Sequence, residues 1–402
     1  MVVLGAAALS CYGPRYGNCV IACTDGCPDG YTCSNNLCLA VNGDRSACSG
    51  SATGDGGTCN GWPFTPSNVD LCATDFPGVG SPYAIASGSA SMIDTGGLPP
   101  YTFDGTTYAV MHVPSFSIGS NSYVSVSGPA ALIVIVEGDV SIYGVLDASG
   151  MAPGDGLRCS ALAGSGVSSQ AATGGGGGGG GYGTPGGDGG AGFDATMTSR
   201  GSGGQVALNG KTLTPLTFGC PGGPGGAAGS DGSTSGGLGG FPGGAIQISS
   251  RTAIAILDPG SVSANGGGGF GGSPGSGAPF ASGGGGGASG GSILLEAMTI
   301  DVGSGGSVCA LGGGGGAGGT TEKGDVSGGN ANTQSGCSQA GGATIGGGAG
   351  GSGAGAQRSA GTGSDGDSSG SAAGGGGGGE GMICLHGTVT ELGTIDPAST
   401  CP

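Results

Sequence analysis

Eight consecutive glycines, Gly174 to Gly181, limit what this chain can fold into. A residue without a side chain buries no apolar surface, so such a stretch can be held only through its backbone N–H and C=O groups. Further runs occur at 266–269, 283–287, 312–316 and 374–379. Of the 402 residues 109 are glycine, concentrated beyond residue 150, against an average usage of about 7%. Only 5% are aromatic, so a core of large side chains is not expected there.

Collagen does not fit. "GCPGGPGGA" (219–227) keeps glycine at every third position for a few triplets, and elsewhere the runs have no period. Two readings remain. Gly/Ser chains can be flexible linker. Alternatively, the tracts are extended, polyproline-II-like helices packed side by side, with the backbone groups of one bonded to those of the next. Structureless loops longer than about 15 residues seldom recur in a compact domain, and these tracts recur at one place in a repeat.

That repeat is built of short β segments. "GGAIQISSRTAIAILDPGSVSANGGGG" (243–269) matches "GGSILLEAMTIDVGSGGSVCALGGGGG" (290–316). Ile246 and Ile248 answer to Ile293 and Leu295. After one residue of slippage, Ile254 and Ile256 answer to Ile300 and Val302, and Ser261, Val262 and Ala264 to Ser307, Val308 and Ala310. Leu132, Val134, Val140, Ile142, Leu146 and Ala148 fit the same template, and "GGQVAL" (203–208) and "GEGMICLHGTV" (379–389) read as partial copies. The spacing of about 46 residues is that of a repeat architecture. Strands of four to six residues bury no face alone, but stacked copies bury a continuous aliphatic stripe. "ALIVIV" (131–136) is apolar on both faces and is expected to be covered on both. The expected fold is all-β: a right-handed β-solenoid-like repeat domain with long Gly-rich insertions, polyglycine II-like or disordered. A β-sandwich is the alternative.

Fifteen cysteines show no zinc spacing and the chain has two histidines, which suggests disulfides and an oxidising compartment. Residues 1–10 read as a signal remnant ending before Cys11, a candidate lipidation site, although Ala8 stands where a lipobox carries Leu. Ten residues are too few to span a bilayer. With Cys11 set aside, the disulfide candidates are Cys19, Cys23, Cys27, Cys33, Cys38, Cys48, Cys59 and Cys72 in a disulfide-rich module over 11–72, and Cys159, Cys220, Cys309, Cys337, Cys384 and Cys401 further on. Their pairing stays open. Residues 73–150 form a strand-rich lead-in and 151–402 the Gly-rich β-repeat domain.

The net charge is −17 with eight Lys and Arg, which argues against nucleic acid and against a cationic membrane patch. No nucleophile elbow, HExxH or P-loop is present, and poly-Gly contains GxGxxG trivially. His112 and His386 each alternate with apolar neighbours, as packed strand residues do. Asp139 and Asp147 flank strands, and no catalytic residue is assigned. Asp365 and Asp367 in "SDGDSSGS" begin a weak calcium-loop pattern whose twelfth position is Gly376, not Glu. No cofactor is expected.

"GGYGTPGGDGGAG", "GGAIQISS" and "VCALGGGGG" together resemble Gly-rich extracellular proteins and lipoproteins of myxobacteria and their relatives, a group without an assigned activity. The resemblance covers residues ~100 to 402 in texture, and "CPDGYTCSNNLC" resembles their small Cys-rich knots. It implies a secreted or outer-membrane-anchored protein. The reading for function is a non-enzymatic structural or adhesive role, with a flat Gly-rich surface facing polysaccharide or a neighbouring envelope. A polysaccharide-active β-helix enzyme and an ice- or glycan-binding protein are the alternatives. Any membrane contact would run through the lipid anchor.

Overall fold

The computed structural model describes residues 31–34, 37–40, 61–151, 159, 163–166, 168, 173–193, 200–206, 213–228, 235–274, 280–321, 337–338, 340–355, 358–367 and 370–399. The chain divides into two compact units: Met1–Thr65 with Asp70–Phe76, and Pro66–Val69 with Pro77–Pro402. In the smaller unit β1 (Tyr31–Ser34) and β2 (Leu37–Ala40) pair antiparallel, with Cys33 opposite Cys38.

The described residues contain no α-helix. The larger unit carries β3 (Tyr83–Ile85), β4 (Ala90–Asp94), β5 (Pro100–Phe103), β6 (Thr106–Val113), β7 (Phe116–Ile118), β8 (Tyr123–Ser127), β9 (Ala131–Val136), β10 (Val140–Ile142) and β11 (Val145–Asp147). After the first long glycine region come β12 (Ala245–Ser250), β13 (Ala253–Ile256), β14 (Ser261–Ser263), β15 (Ser292–Val302), β16 (Ser307–Cys309), β17 (Met382–Glu391) and β18 (Thr394–Asp396). A ten-stranded sheet runs β3-β7-β10-β13-β15-β12-β9-β6-β5, with β17 also on β15. A six-stranded sheet runs β18-β16-β14-β11-β8-β4. Within this unit the sheets curl into a half-barrel.

Every pairing in these two sheets is parallel except β5 with β6. That one exception follows from "FDGT". Asp104 (φ 47°) and Gly105 (φ 75°) both take positive φ, which a type I′ hairpin turn requires and Asp-Gly supplies.

Register follows the aliphatic pattern. Leu132, Ile246, Ile293 and Ile383 share one column. Val140, Ile254, Ile300 and Val389 share a second. Leu146, Val262, Val308 and Ile395 share a third. All but Val389 and Ile395, at the end of the stack, are fully buried. Each buried aliphatic contributes about 1.5–3 kcal/mol, and the period of two forbids a one-residue slip. The slippage seen in the sequence is a tightened corner: Ser249 pairs with Glu296, yet Ala253 pairs with Thr299. All six residues of β9 are buried, as expected for a strand covered on both faces. "GGQVAL" is corrected: its described part, 203–206, forms no strand and belongs to the glycine network instead. With one glycine-paired side and no aliphatic column to join, it has no place in the stack.

The glycine tracts are held by one another. Gly174, Gly177 and Gly180 donate to the carbonyls of Ala281, Gly284 and Gly287 at 2.8–3.0 Å. Gly284, Gly287 and Gly290 donate to Ala373, Gly376 and Gly379, which in turn donate back to Gly174, Gly177 and Gly180. The three segments are therefore parallel, mutually bonded, and matched at every third residue. The intervening residues bond outward. From 174–181, Gly176 and Gly179 donate to Gly190 and Gly187, and Gly178 donates to Gly164. Gly201, Gly204, Gly223 and Gly226 donate into the same segment. Segment 281–291 is likewise bonded to 219–226, 236–243, 264–272 and 313–319, and segment 372–381 to 187–190, 310–319, 347–354 and 361–364.

Glycine is required in the interior of this network. A Cβ on Gly178, Gly286 or Gly377 would lie 1.9 Å from the carbonyl oxygen of Ser202, Gly178 or Ser352. The Cα hydrogens there aim at carbonyls, and such C–H···O contacts contribute about 0.5–1 kcal/mol each. With about 1 kcal/mol net per N–H···O bond, they roughly offset the 1–2 kcal/mol per residue needed to order the backbone. Two disulfides add to this, Cys159–Cys220 across 61 residues and Cys309–Cys337 across 28. Cys72 and Cys384 are also disulfide-bonded.

Candidate functional site

The centre of the glycine network has its backbone groups paired, so contact with anything else falls to its rim. The rim residues are of three kinds. Segment 219–226 donates from Gly219, Gly222 and Gly225 to 236–243, and from Gly223 and Gly226 to 174–181. Its remaining register is Pro221 and Pro224, which have no N–H to leave exposed. The triplet spacing of "GCPGGPGGA" is the spacing of this edge.

A second stretch of rim ends in carboxylates. Asp188 Oδ1 accepts from Gly203 N at 2.8 Å, and Asp365 Oδ1 accepts from Ala191 N at 2.7 Å. Arg200 lies 3.6 Å from Asp188, both side chains about half exposed. Asp367 Oδ1 accepts from Ser371 N at 3.2 Å. The calcium-pattern residues Asp365 and Asp367 thus each hold a backbone N–H. Among the described residues no group of three or more His, Cys, Asp or Glu is placed to hold a metal ion.

The third stretch is apolar. Leu238 is 66% exposed, Phe241 47% and Phe270 37%. They sit on the adjacent segments 236–243 and 264–272, joined by Phe270 N to Leu238 O at 2.9 Å and Gly267 N to Phe241 O at 2.7 Å. Described residues 213–228, 235–250 and 264–274 contain no charged side chain.

On the strands the polar side chains gather at one buried carboxylate. Glu296 of β15 is 2% exposed. It accepts from Ser67 N (3.0 and 3.2 Å), Ser67 Oγ (2.7 Å), Gln247 Nε2 (3.1 Å) and Ser249 Oγ (2.8 Å). His386 Nδ1 lies 3.3 Å away, and the bond to Glu296 raises the pKa of this histidine against the opposing effect of burial. Asn68 bonds Gln247 and the Leu213 carbonyl at 3.0 Å each. With both carboxylate oxygens engaged, the cluster clamps Pro66–Val69 onto the sheet. Glu296 and Gln247 were not among the residues singled out from the sequence, although one polar residue inside each of "AIQIS" and "ILLEA" was the available signal.

His112 works in the same way. Its Nδ1 lies 2.8 Å from the Pro77 carbonyl and its Nε2 2.8 Å from Glu137, which is 3.8 Å from Arg251. Asp139 accepts from Thr252 Oγ1 at 2.5 Å. Asp147 accepts from Ser263 Oγ at 2.8 Å and from the Tyr123 phenol, whose pKa is pushed up by burial and then by this carboxylate. Each of these acids is thus tied to its own strand neighbours. Outward from the ten-stranded sheet, Ala84, Ser117, Ser141, Ala255, Asp301 and Thr390 form one column of short side chains. Cys11, Cys19, Cys23, Cys27, Cys48, Cys59 and Cys401 lie outside the described residues.

These features define a class: an all-β, disulfide-bonded chain with stacked parallel strands and a rim of largely uncharged backbone. No protein-family model, curated protein or solved structure matches it. The disulfides point to a compartment other than the reducing cytoplasm, and no helix of the described residues is long and apolar enough to cross a membrane.

Proposed function

We propose that this chain is a non-enzymatic structural or adhesive protein of the extracellular surface, held at the envelope by lipid on Cys11. It is a right-handed β-solenoid whose loops pack as a lattice of polyglycine II helices. The in-register parallel columns support the solenoid reading, since each rung buries its aliphatic stripe against the next. The bond period of three supports the helix reading, because the polyproline-II helix has three residues per turn. The observation that carries the functional reading is the rim. Prolines, acid caps and bonded glycines hold its backbone in place, and the prominent carboxylates are engaged by neighbours, as suits display rather than turnover. The resemblance to Gly-rich lipoproteins agrees with this.

The test has two arms. Amide exchange should find Gly176–Gly180 as slow as β9; exchange at unfolded-peptide rates would end the lattice reading. Beads coated with the folded full chain should adhere to polysaccharide films or cell envelopes more than beads coated with reduced, unfolded chain. Equal adhesion would end the functional one.

A further inference from the structure

We infer that the uncharged rim carrying Leu238, Phe241 and Phe270 is a docking site for a neutral polysaccharide. The inference rests on the adhesive reading above and assigns it a face and a partner.

The rim is unusual within its own molecule. The chain has a net charge of −17, and another stretch of rim carries Asp188, Asp365 and Asp367. Around the three apolar side chains, residues 213–228, 235–250 and 264–274 hold no charge. An exposed apolar group of this kind marks an interaction surface more often than a scattered single residue does. Leu238 and Phe241 are one helical turn apart, about 9 Å at a rise of ~3.1 Å per residue, and so project from the same side. Phe270 stands beside them, bonded through its N–H to Leu238. Pro224, exposed, and Pro221, half-buried, extend the apolar strip on the neighbouring segment.

The backbone beneath is fixed. Gly237 and Gly240 donate to Gly283 and Gly286 at 2.9 Å, and the Phe270 carbonyl accepts from Gly285 at 2.9 Å. Fixed prongs lose little freedom on binding, which is where a flat site gains affinity. The glycines between the prongs are held as well: Gly240 donates to Gly286 and accepts from Gly222, and Gly269 donates to Gly314. A sugar ring offers such prongs the C–H groups of its face and keeps its hydroxyls in water around its edge.

Charge selects among partners. Nucleic acid and anionic lipid are repelled by the whole molecule, and a second copy meets the same repulsion. A neutral glycan carries no such penalty.

The test is depletion of the full-length protein by insoluble neutral polysaccharides: β-1,4-glucan, β-1,3-glucan, chitin and starch. It is repeated with phosphatidylcholine vesicles and by sedimentation of the protein alone. The expected result is retention on at least one polysaccharide, falling about tenfold or more for the Phe241→Ser/Phe270→Ser variant. Met92→Ser, on an exposed strand residue away from this rim, should leave retention unchanged. Amide exchange at Gly177, Gly284 and Gly376 verifies that the variants keep the lattice. Equal retention of the double variant overturns this rim as the site and leaves the adhesive reading standing. Retention on vesicles, or a dimer, lost in the same variant assigns the rim to lipid or to a second copy and overturns the proposal. If no polysaccharide retains the protein, the proposal fails; if coated beads also fail to adhere to envelopes, the adhesive reading fails with it.

Discussion

Replacing Gly286 by alanine tests the lattice at its most constrained point. The new Cβ would sit 1.9 Å from Gly178 O and 2.4 Å from Gly178 C. Relief to an ordinary contact needs a separation of segments 174–181 and 281–291 by more than about 1 Å, enough to weaken their mutual hydrogen bonds. Gly177 N to Gly284 O and Gly180 N to Gly287 O span this contact, and Gly286 N to Gly223 O shares the displaced residue. Three bonds at about 1 kcal/mol each, less the ~0.4–1 kcal/mol that alanine returns by restricting the unfolded chain, leave a loss of about 2–3 kcal/mol. Gly341→Ala is the matched control. It borders the network on the exposed side, a Cβ there would meet nothing within 4 Å, and its φ is not positive. It should be neutral or stabilising by up to about 1 kcal/mol. Urea unfolding under oxidising conditions, with amide exchange at Gly177 and Gly284 as a local reporter, gives both numbers. Equal stability of the two variants would refute the argument that backbone contact is what demands glycine.

Other consequences are as direct. Cys159→Ser/Cys220→Ser opens a 61-residue loop and should cost about 4 kcal/mol by chain entropy, read as a lower urea midpoint with faster exchange at Gly223. Glu296→Ala strands the Ser67, Gln247 and Ser249 donors in a buried site and should cost about 3–5 kcal/mol; a loss under about 1 kcal/mol, measured the same way, would show that the clamp on Pro66–Val69 is unimportant. His386 has a raised pKa in the fold, chiefly through Glu296, so its contribution is complete below the unfolded value of about 6.5 and disappears as pH rises through the folded one. His386→Gln should flatten that part of a stability–pH profile. Glu380 is raised by burial and then by Asp396; Glu380→Gln should therefore stabilise at neutral pH and have no such effect in acid, below the unfolded carboxylate value of about 4.3, where the native carboxyl is already largely protonated.

The strand stack was legible because its side chains repeat. Pairing Ile246 with Ile293 and Val262 with Val308 by sequence alone reproduces the observed register, since each column must present an aliphatic inward. "GGQVAL" misled because a glycine pair before alternating residues marks a rung start and a lattice segment equally. In the lattice, a homopolymer of residues without side chains has no readable period, and the interval of three shows only where other residues punctuate it, as at Pro185 and Asp188, Pro221 and Pro224, or Leu238 and Phe241. Gln247 and Glu296 were unreadable as a cluster because the partner they share, Ser67, comes from far back in the chain on a segment with no pattern of its own.

The triangle at the heart of the lattice also orders events in time. Gly177 waits for Gly284 to arrive and then for Gly376 to close the ring, so the first tract must emerge from the synthesis machinery long before these two partners exist. A tract with no apolar side chains can wait in water without sticking to anything. Closure of the triangle is thus deferred until the last tract is made, and a chain truncated before residue 370 should keep the bonds between 174–181 and 281–291 but leave the donors Gly284, Gly287 and Gly290 without their acceptors.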